Sequence, residues 1–584
     1  CSSNEDLGTA GPSTGTNEAG VGYATFSINL PTTSGTRAEG DPTFDKGDAN
    51  EYKVNDATIL IFKKGETTKE GETTKEGDYT FVESAELGSM APWQKPNPDE
   101  TGVTTHAKIT AKLENVDKTD GYYALVLLNN GTGDNVKVTL PKKGDTFSAW
   151  NVDTNTNKEE ETTNKIANTN NGFYMANAPL FKDHNVTTLV AIDKDKIYPT
   201  EEQAAKSAAT DVYVERGLAK VTLKTGTAAT GKTDDKGAYT VANGAYKDDK
   251  VTIENWALDV TNKKTFPIHN VDGLATATNY EDIWSNTNTQ VGSNGATTLR
   301  FVDNKATLAQ RVYWGKDPNY DKSDLCSTKD AAKTALKAEF NYVANKDVTA
   351  KPNTSLYCLE NTFNLDNMMQ GQTTRVVFKA KYIPNGIAEN TNFYKIGKNT
   401  AIWNEENLVK EIKAAVASVF PGVTTTKISV NLNAEENKIT AAGTHYIKAE
   451  NITVKTSETE IATITAENIK AINTQLGLKE TDKVGISTYA GGESYYIARI
   501  KHFGDDLTSW ESGQSYDKKN LEYLGRYGVL RNNWYELTVQ SVSGPGYPSV
   551  PEVKPNTPDD EDDNYINVSV KILNWAKRSQ SVDL

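Results

Sequence analysis

The sequence predicts a mainly β fold assembled as sandwiches, with a few short helices. Short apolar runs recur between Gly, Asn, Asp and Pro punctuation: Thr58–Phe62, Thr80–Val82, Ala107–Ala111 and Tyr122–Leu128, then Val251–Ile253, Leu299–Val302, Arg375–Tyr382 and Tyr495–Ile500. With 584 residues the chain exceeds one ordinary domain and can fill two or three cores. No apolar run reaches the roughly 20 residues that cross a bilayer as a helix. The longest compact ones, such as Ala124–Leu128, have the length of buried strands.

Residues 1–20 read as a Ser/Gly/Thr/Asn tether. The strand at 21–31 alternates, with Ala24, Phe26, Ile28 and Leu30 on one face and Tyr23, Thr25, Ser27 and Asn29 on the other. Arg37 follows in Gly35–Gly40, a small, polar stretch of the kind proteases nick, and it is the only arginine in the first 215 residues. The duplicated Gly65–Glu70 and Gly71–Glu76 read as an expanded loop between strands. A short helix is expected over Glu201–Ala209, and a second region from Asp211–Arg216, followed by a strand at Ala219–Leu223. Asp330–Tyr342, Glu405–Phe420 with Asn404 as cap, and Ala466–Leu476 have helical periodicity and read as decorations on the β architecture.

The end of the chain changes character. Pro545, Pro548, Pro551, Pro555 and Pro558 predict a stiff, extended linker, kept solvated by Asp559–Asp563. A second isolated strand places Ile566, Val568, Val570 and Ile572 on one face, and Trp575 follows. This strand has no obvious hairpin partner in its own domain and is expected to pair elsewhere, the alternative being that Ile566–Ile572 folds back on its own domain.

The net charge of −15 argues against nucleic acid, whose binding needs cationic patches. Gly226–Thr233 matches the phosphate-loop pattern, but a turn and Ala238–Val241 follow where a helix is required. The five histidines (His106, His184, His269, His445 and His502) are scattered, and Asp317–Asp321 opens like a calcium loop before Lys322 takes the place of the required glycine. Neither a metal, a cofactor nor an enzymatic activity is expected. Of the cysteines, Cys1 reads as the lipid-bearing residue of a bacterial lipoprotein, while Cys326 and Cys358 are either a disulfide or two buried thiols.

Taken in order, these features resemble the fimbrillins of type V pili, closest to the Mfa-type shaft subunit. The resemblance rests on Cys1, the strand Tyr23–Leu30, Thr36-Arg37-Ala38, Val214-Glu215-Arg216 with Ala219, and Arg531-Asn532-Asn533-x-Tyr535. It rests also on the acidic proline linker and the closing Ser581-Val582-Asp583-Leu584. It implies two transthyretin-like β-sandwich domains at 38–210 and 211–543, after a removable segment at 1–37 and before a linker at 544–563 and a donor strand at 564–584. It implies export as a surface lipoprotein, with Asn4-Glu5-Asp6 as an acidic export signal, and then cleavage between Arg37 and Ala38 by an Arg-specific protease. Loss of the first strand leaves a groove that the C-terminal strand of a neighbouring copy fills. The implied partners are other copies of the chain, tip and anchor subunits, the protease, and the outer membrane before cleavage. A chain carrying both halves suits a repeating shaft position, since the contact runs head to tail without closing. The rival readings are a non-polymerising surface lipoprotein that binds glycan or protein, using some of nine Trp and 27 Tyr, and a hydrolase with accessory sandwiches, which lacks a catalytic constellation.

Overall fold

The computed structural model describes residues 14–29, 48–65, 74–89, 106–117, 121–131, 136–156, 166, 172–182, 185–225, 237–274, 290–291, 297–298, 310–312, 314–322, 325, 329–503, 523–559 and 566–574. The phosphate-loop pattern and the Leu299–Val302 run lie outside them. The fold is mainly β.

The first sheet has eight strands. They include β1 (Gly22–Asn29), β2 (Asp56–Lys63), β3 (Thr80–Ser89), β4 (His106–Leu113), β5 (Tyr122–Leu128), β6 (Met175–Asn177) and β7 (Ala208–Arg216). Its main path runs β3-β2-β5-β6-β7-β1-β4, and Val190–Ala191 pairs with β5 beside it. The two ends of this path approach each other. The Glu83 carboxylate on β3 accepts the backbone N–H groups of Glu114 and Asn115, just past β4, at 2.9 Å each. The curled sheet encloses one apolar core that includes Phe26, Ile28, Ile59, Ile61, Val126 and Val212.

β7 corrects the sequence reading. Asp211–Arg216 was expected to open the second region, yet it lies between β6 and β1 in the first sheet. The preceding helix is also shorter than expected: α2 covers only Glu201–Ala204, and the chain is extended again from Ala208. α1 is a single turn, Ala49–Tyr52.

Two residues, Gly217 and Leu218, separate β7 from β8 (Ala219–Lys224). β8 belongs to a four-stranded sheet, β11-β8-β14-β15, with β11 at Ser355–Cys358, β14 at Asn533–Val542 and β15 at Ile566–Asn574. A second four-stranded sheet contains β9 (Tyr239–Thr240), β10 (Lys250–Asp259), β12 (Arg375–Ile383) and β13 (Glu493–Arg499), in that order. The two sheets form a sandwich. Val221, Leu223, Tyr535 and Leu537 from one share a core with Val251, Trp256, Phe378 and Tyr496 from the other.

α3 (Lys329–Glu339) flanks this sandwich, with Leu336 in a small core beside Phe340. The next two helices belong to a separate body. Residues 386–492 leave between β12 and β13 and build their own core from α4 (Glu405–Val419), α5 (Ala466–Gln475) and short strands. Leu408, Ile412 and Val416 line the buried face of α4, whose cap is Asn404 as expected: its side chain accepts the Asn407 N–H at 2.8 Å. The sequence reading of decorations therefore understated this segment, which has a core distinct from either sheet system.

Candidate assembly interface

Both chain-end strands lie in sheets, in unequal positions. β1 is interior. It pairs antiparallel with β4 along Gly22–Asn29, with Phe26 opposite Ile109 and Ile28 opposite Ala107. On its other side it pairs parallel with β7, with Phe26 opposite Thr210 and Ile28 opposite Val212. Ala24, Phe26 and Ile28 are fully buried, while Leu30, Arg37 and Ala38 lie outside the described residues. The second face of β1 is also covered, which alternation alone did not reveal. Thr25 is buried, and its hydroxyl donates to Ala204 O of α2 at 2.8 Å and lies 2.7 Å from Thr110 Oγ1.

β15 occupies an edge. It pairs antiparallel with β14 of its own chain and with no other described strand. The expectation that it lacks a partner in its own domain is thus corrected. The register sets Ile566, Val568, Val570 and Ile572 opposite Val542, Val539, Leu537 and Tyr535, all of which are buried. Opposed residues of an antiparallel pair share a face, so these four positions sit on the core side of the sheet. Trp575 lies outside the described residues, as do Cys1 and Cys326. Cys358 is fully buried on β11, and burial pushes its thiol up to about 12.

A polar junction ties the first sheet to the sandwich. Arg216 Nε donates to Glu51 O at 2.7 Å, Tyr357 OH donates to Glu51 Oε1 at 2.6 Å, and Lys220 Nζ lies 2.7 Å from the same carboxylate. Lys220 also sits 3.9 Å from the Trp534 ring. The Arg531–Tyr535 motif that carried part of the resemblance works here. Asn532 adopts a positive φ of 61°, its N–H donates to Leu218 O at 2.7 Å, and its side chain accepts the Arg216 N–H. Arg531 forms a buried pair with Glu360 at 2.7 Å. Asp317, at the head of the stretch that opens like a calcium loop, is buried and accepts from Thr362, Asn319 and Asn262.

All five arginines whose side chains are described are buried: Arg216, Arg375, Arg499, Arg526 and Arg531. No group of three or more His, Cys, Asp or Glu arranged to hold a metal occurs among the described residues. A cleft of about 550 Å³ at the root of the 386–492 body is lined by Gly386–Ala388, Thr391, Asn392 and Asn404–Glu406, without the aromatic face on which a sugar stacks.

Residues 487–581, which include β13, β14, the linker and β15, match the family model described as Major fimbrial subunit protein type IV, Fimbrillin, C-terminal. Over these residues the chain is similar to the fimbrillins. Among solved structures, a fimbrilin from Porphyromonas gingivalis W83 is 13% identical with a TM-score of 0.34, over 95% of this chain and 99% of its own. A proposed cell adhesion protein from Bacteroides eggerthii DSM 20697 is 12% identical with a TM-score of 0.33, over 97% and 98%. A fimbrial assembly protein from Parabacteroides distasonis ATCC 8503 is 11% identical with a TM-score of 0.24, over 65% and 93%. No curated protein matches.

Proposed function

We propose that the protein is a fimbrillin, a structural subunit of a cell-surface fimbrium, and that it polymerises by strand exchange: cleavage after Arg37 frees β1, and β15 of another copy takes its place between β7 and β4. The observation that carries the reading is the inequality of the two strands. β15 holds one backbone ladder at home, whereas the site of β1 offers two. At about 1 kcal/mol per net hydrogen bond, a second ladder favours the exchanged state by several kcal/mol. The core-side positions of β15 would replace Ala24, Phe26 and Ile28, worth roughly 1.5–3 kcal/mol for each large side chain, against the cover that β15 gives up over Tyr535, Leu537, Val539 and Val542 at home. An emptied site would leave unpaired backbone and bare apolar surface, a strong drive towards refilling.

The buried arginines support the cleavage half. An Arg-specific protease meets a folded body whose described arginines are inside, and the sequence places Arg37 alone ahead of Arg216. The resemblance adds lipid at Cys1, tip and anchor partners, and the division into two sandwich domains to the proposal. Arg37→Ala should leave full-length, monomeric protein. N-terminal sequencing of surface fimbriae should read from Ala38, and a start at any residue before Gly22 would overturn the proposal.

A further inference from the structure

The connection from β14 to β15 is not the free spacer its prolines suggest. Gly544 O accepts from Tyr496 OH at 2.8 Å, and Gly546 accepts from Tyr489 OH at 2.7 Å while donating to Ser494 Oγ at 2.8 Å. Tyr547 exchanges backbone hydrogen bonds with Tyr495 at 2.6 and 2.8 Å. Val550 N–H donates to Asn345 Oδ1 at 2.8 Å, and Pro551 O accepts from Arg375 Nη2 at 2.6 Å. Thr557 O accepts the Gln370 N–H at 2.9 Å, and Asp559 N–H donates to Met368 O at 3.1 Å. Asp559 is itself fully buried, and its carboxylate accepts from Thr373 Oγ1 at 3.1 Å. These anchors lie on β13, on Arg375 at the start of β12, and on the stretches 345–373 and 489–494. None of them lies on β1 or β15.

We propose that residues 544–559 stay strapped to their own subunit during exchange, so that the hinge is the Asp559–Asp560 peptide and only residues 560–584 cross to the neighbour. This rests on the exchange reading above. Proline composition sets how stiff the segment is, but buried hydrogen bonds decide whether it moves. Beyond Asp559 the sequence turns acidic through Asp560, Glu561, Asp562 and Asp563. From Asp559 to Ile566, where β15 begins, are seven Cα steps, which span at most about 25 Å. The acceptor groove must therefore open within that distance of Asp559, which fixes the spacing of successive subunits and keeps the donor at high local concentration.

Two disulfide locks separate the possibilities, both in full-length protein with Cys1 and Cys326 replaced by Ser and cut at Arg37 in vitro. Gly371→Cys with Pro555→Cys fastens the strap: a Cβ built on Gly371 lies 3.5 Å from Pro555 Cβ, within disulfide range. Thr538→Cys with Ser569→Cys, opposite each other in the ladder, fastens β15 to β14. The oxidised strap lock should form filaments within twofold of its reduced rate, while the oxidised strand lock should form none until reduced. A strap lock that polymerises only when reduced, beside a strand lock behaving as expected, would overturn the hinge alone. A strand lock that polymerises while oxidised would overturn exchange itself. Should the strap pair fail to oxidise or fold, amide hydrogen exchange in unmodified filaments decides: protection at Gln370, Tyr547 and Asp559 should equal that of the monomer, and its loss would refute the strap.

Discussion

The same four-strand pattern occurs twice. β6-β7-β1-β4 in the first sheet and β11-β8-β14-β15 in the second both join by antiparallel, parallel and antiparallel ladders. In the first, the chain's early strand fills the third position, held on both sides and covered by α2. In the second, the late strand fills the fourth position, at an edge. An edge strand can detach and return by breaking one ladder, whereas an interior strand leaves only with two ladders and its core contacts. The difference teaches that the exchange proposed above asks more of β1 than of β15: two ladders and a covered core face against one ladder.

The comparison breaks most visibly on deletion. Removing residues 566–584 should leave a folded, soluble monomer without fibres, whereas removing residues 1–37 without a donor should give aggregated protein, read by size-exclusion chromatography. Fibres from the first variant would end the exchange reading. Phe26→Ala should cost about 3–5 kcal/mol in urea unfolding, as for a fully buried aromatic. Glu360→Gln strands the Arg531 charge next to β14 and should cost about 3–5 kcal/mol, destabilising the second pattern instead. The first sheet should also respond to pH. Burial raises Glu76 to about 7, despite N–H donors at Thr188 and Leu189. A folded pKa above the ordinary 4.5 favours the protonated fold, so this contribution is present below pH 4.5 and lost as pH rises through 7. Stability should fall by about 1–3 kcal/mol across that window. Asp317 in the second region, also raised to about 7, acts in the same direction, so Glu76→Gln should flatten only part of the slope. The smallest effect is Thr25→Val, about 1 kcal/mol for its hydrogen bonds to Ala204 and Thr110.

Local pattern carried far where it was strong. β5 spans Tyr122–Leu128 as read, and α4 ends within a residue of its expected limit because its apolar face and Asn404 cap are both local signals. The apolar face of β1 was legible for the same reason. What failed was non-local. Gly217 and Leu218 carry no turn long enough to mark where one sheet stops, so β7 was assigned to the wrong region. The parallel ladder joining residues some 180 positions apart leaves no trace in either strand alone. The linker's prolines gave no sign that Arg375, Asn345 and Ser494 hold its backbone.

The 386–492 body enters and leaves the sandwich through neighbours. Lys381 stands opposite Glu493 across β12 and β13, and Phe393 stands opposite Tyr489 just beyond them. In a filament pulled end to end, tension would run from an occupied β1 site along β7, β8 and β14 to the next subunit. A body whose two ends meet lies outside that line of force. It can vary in sequence without lengthening such a fibre or weakening its links.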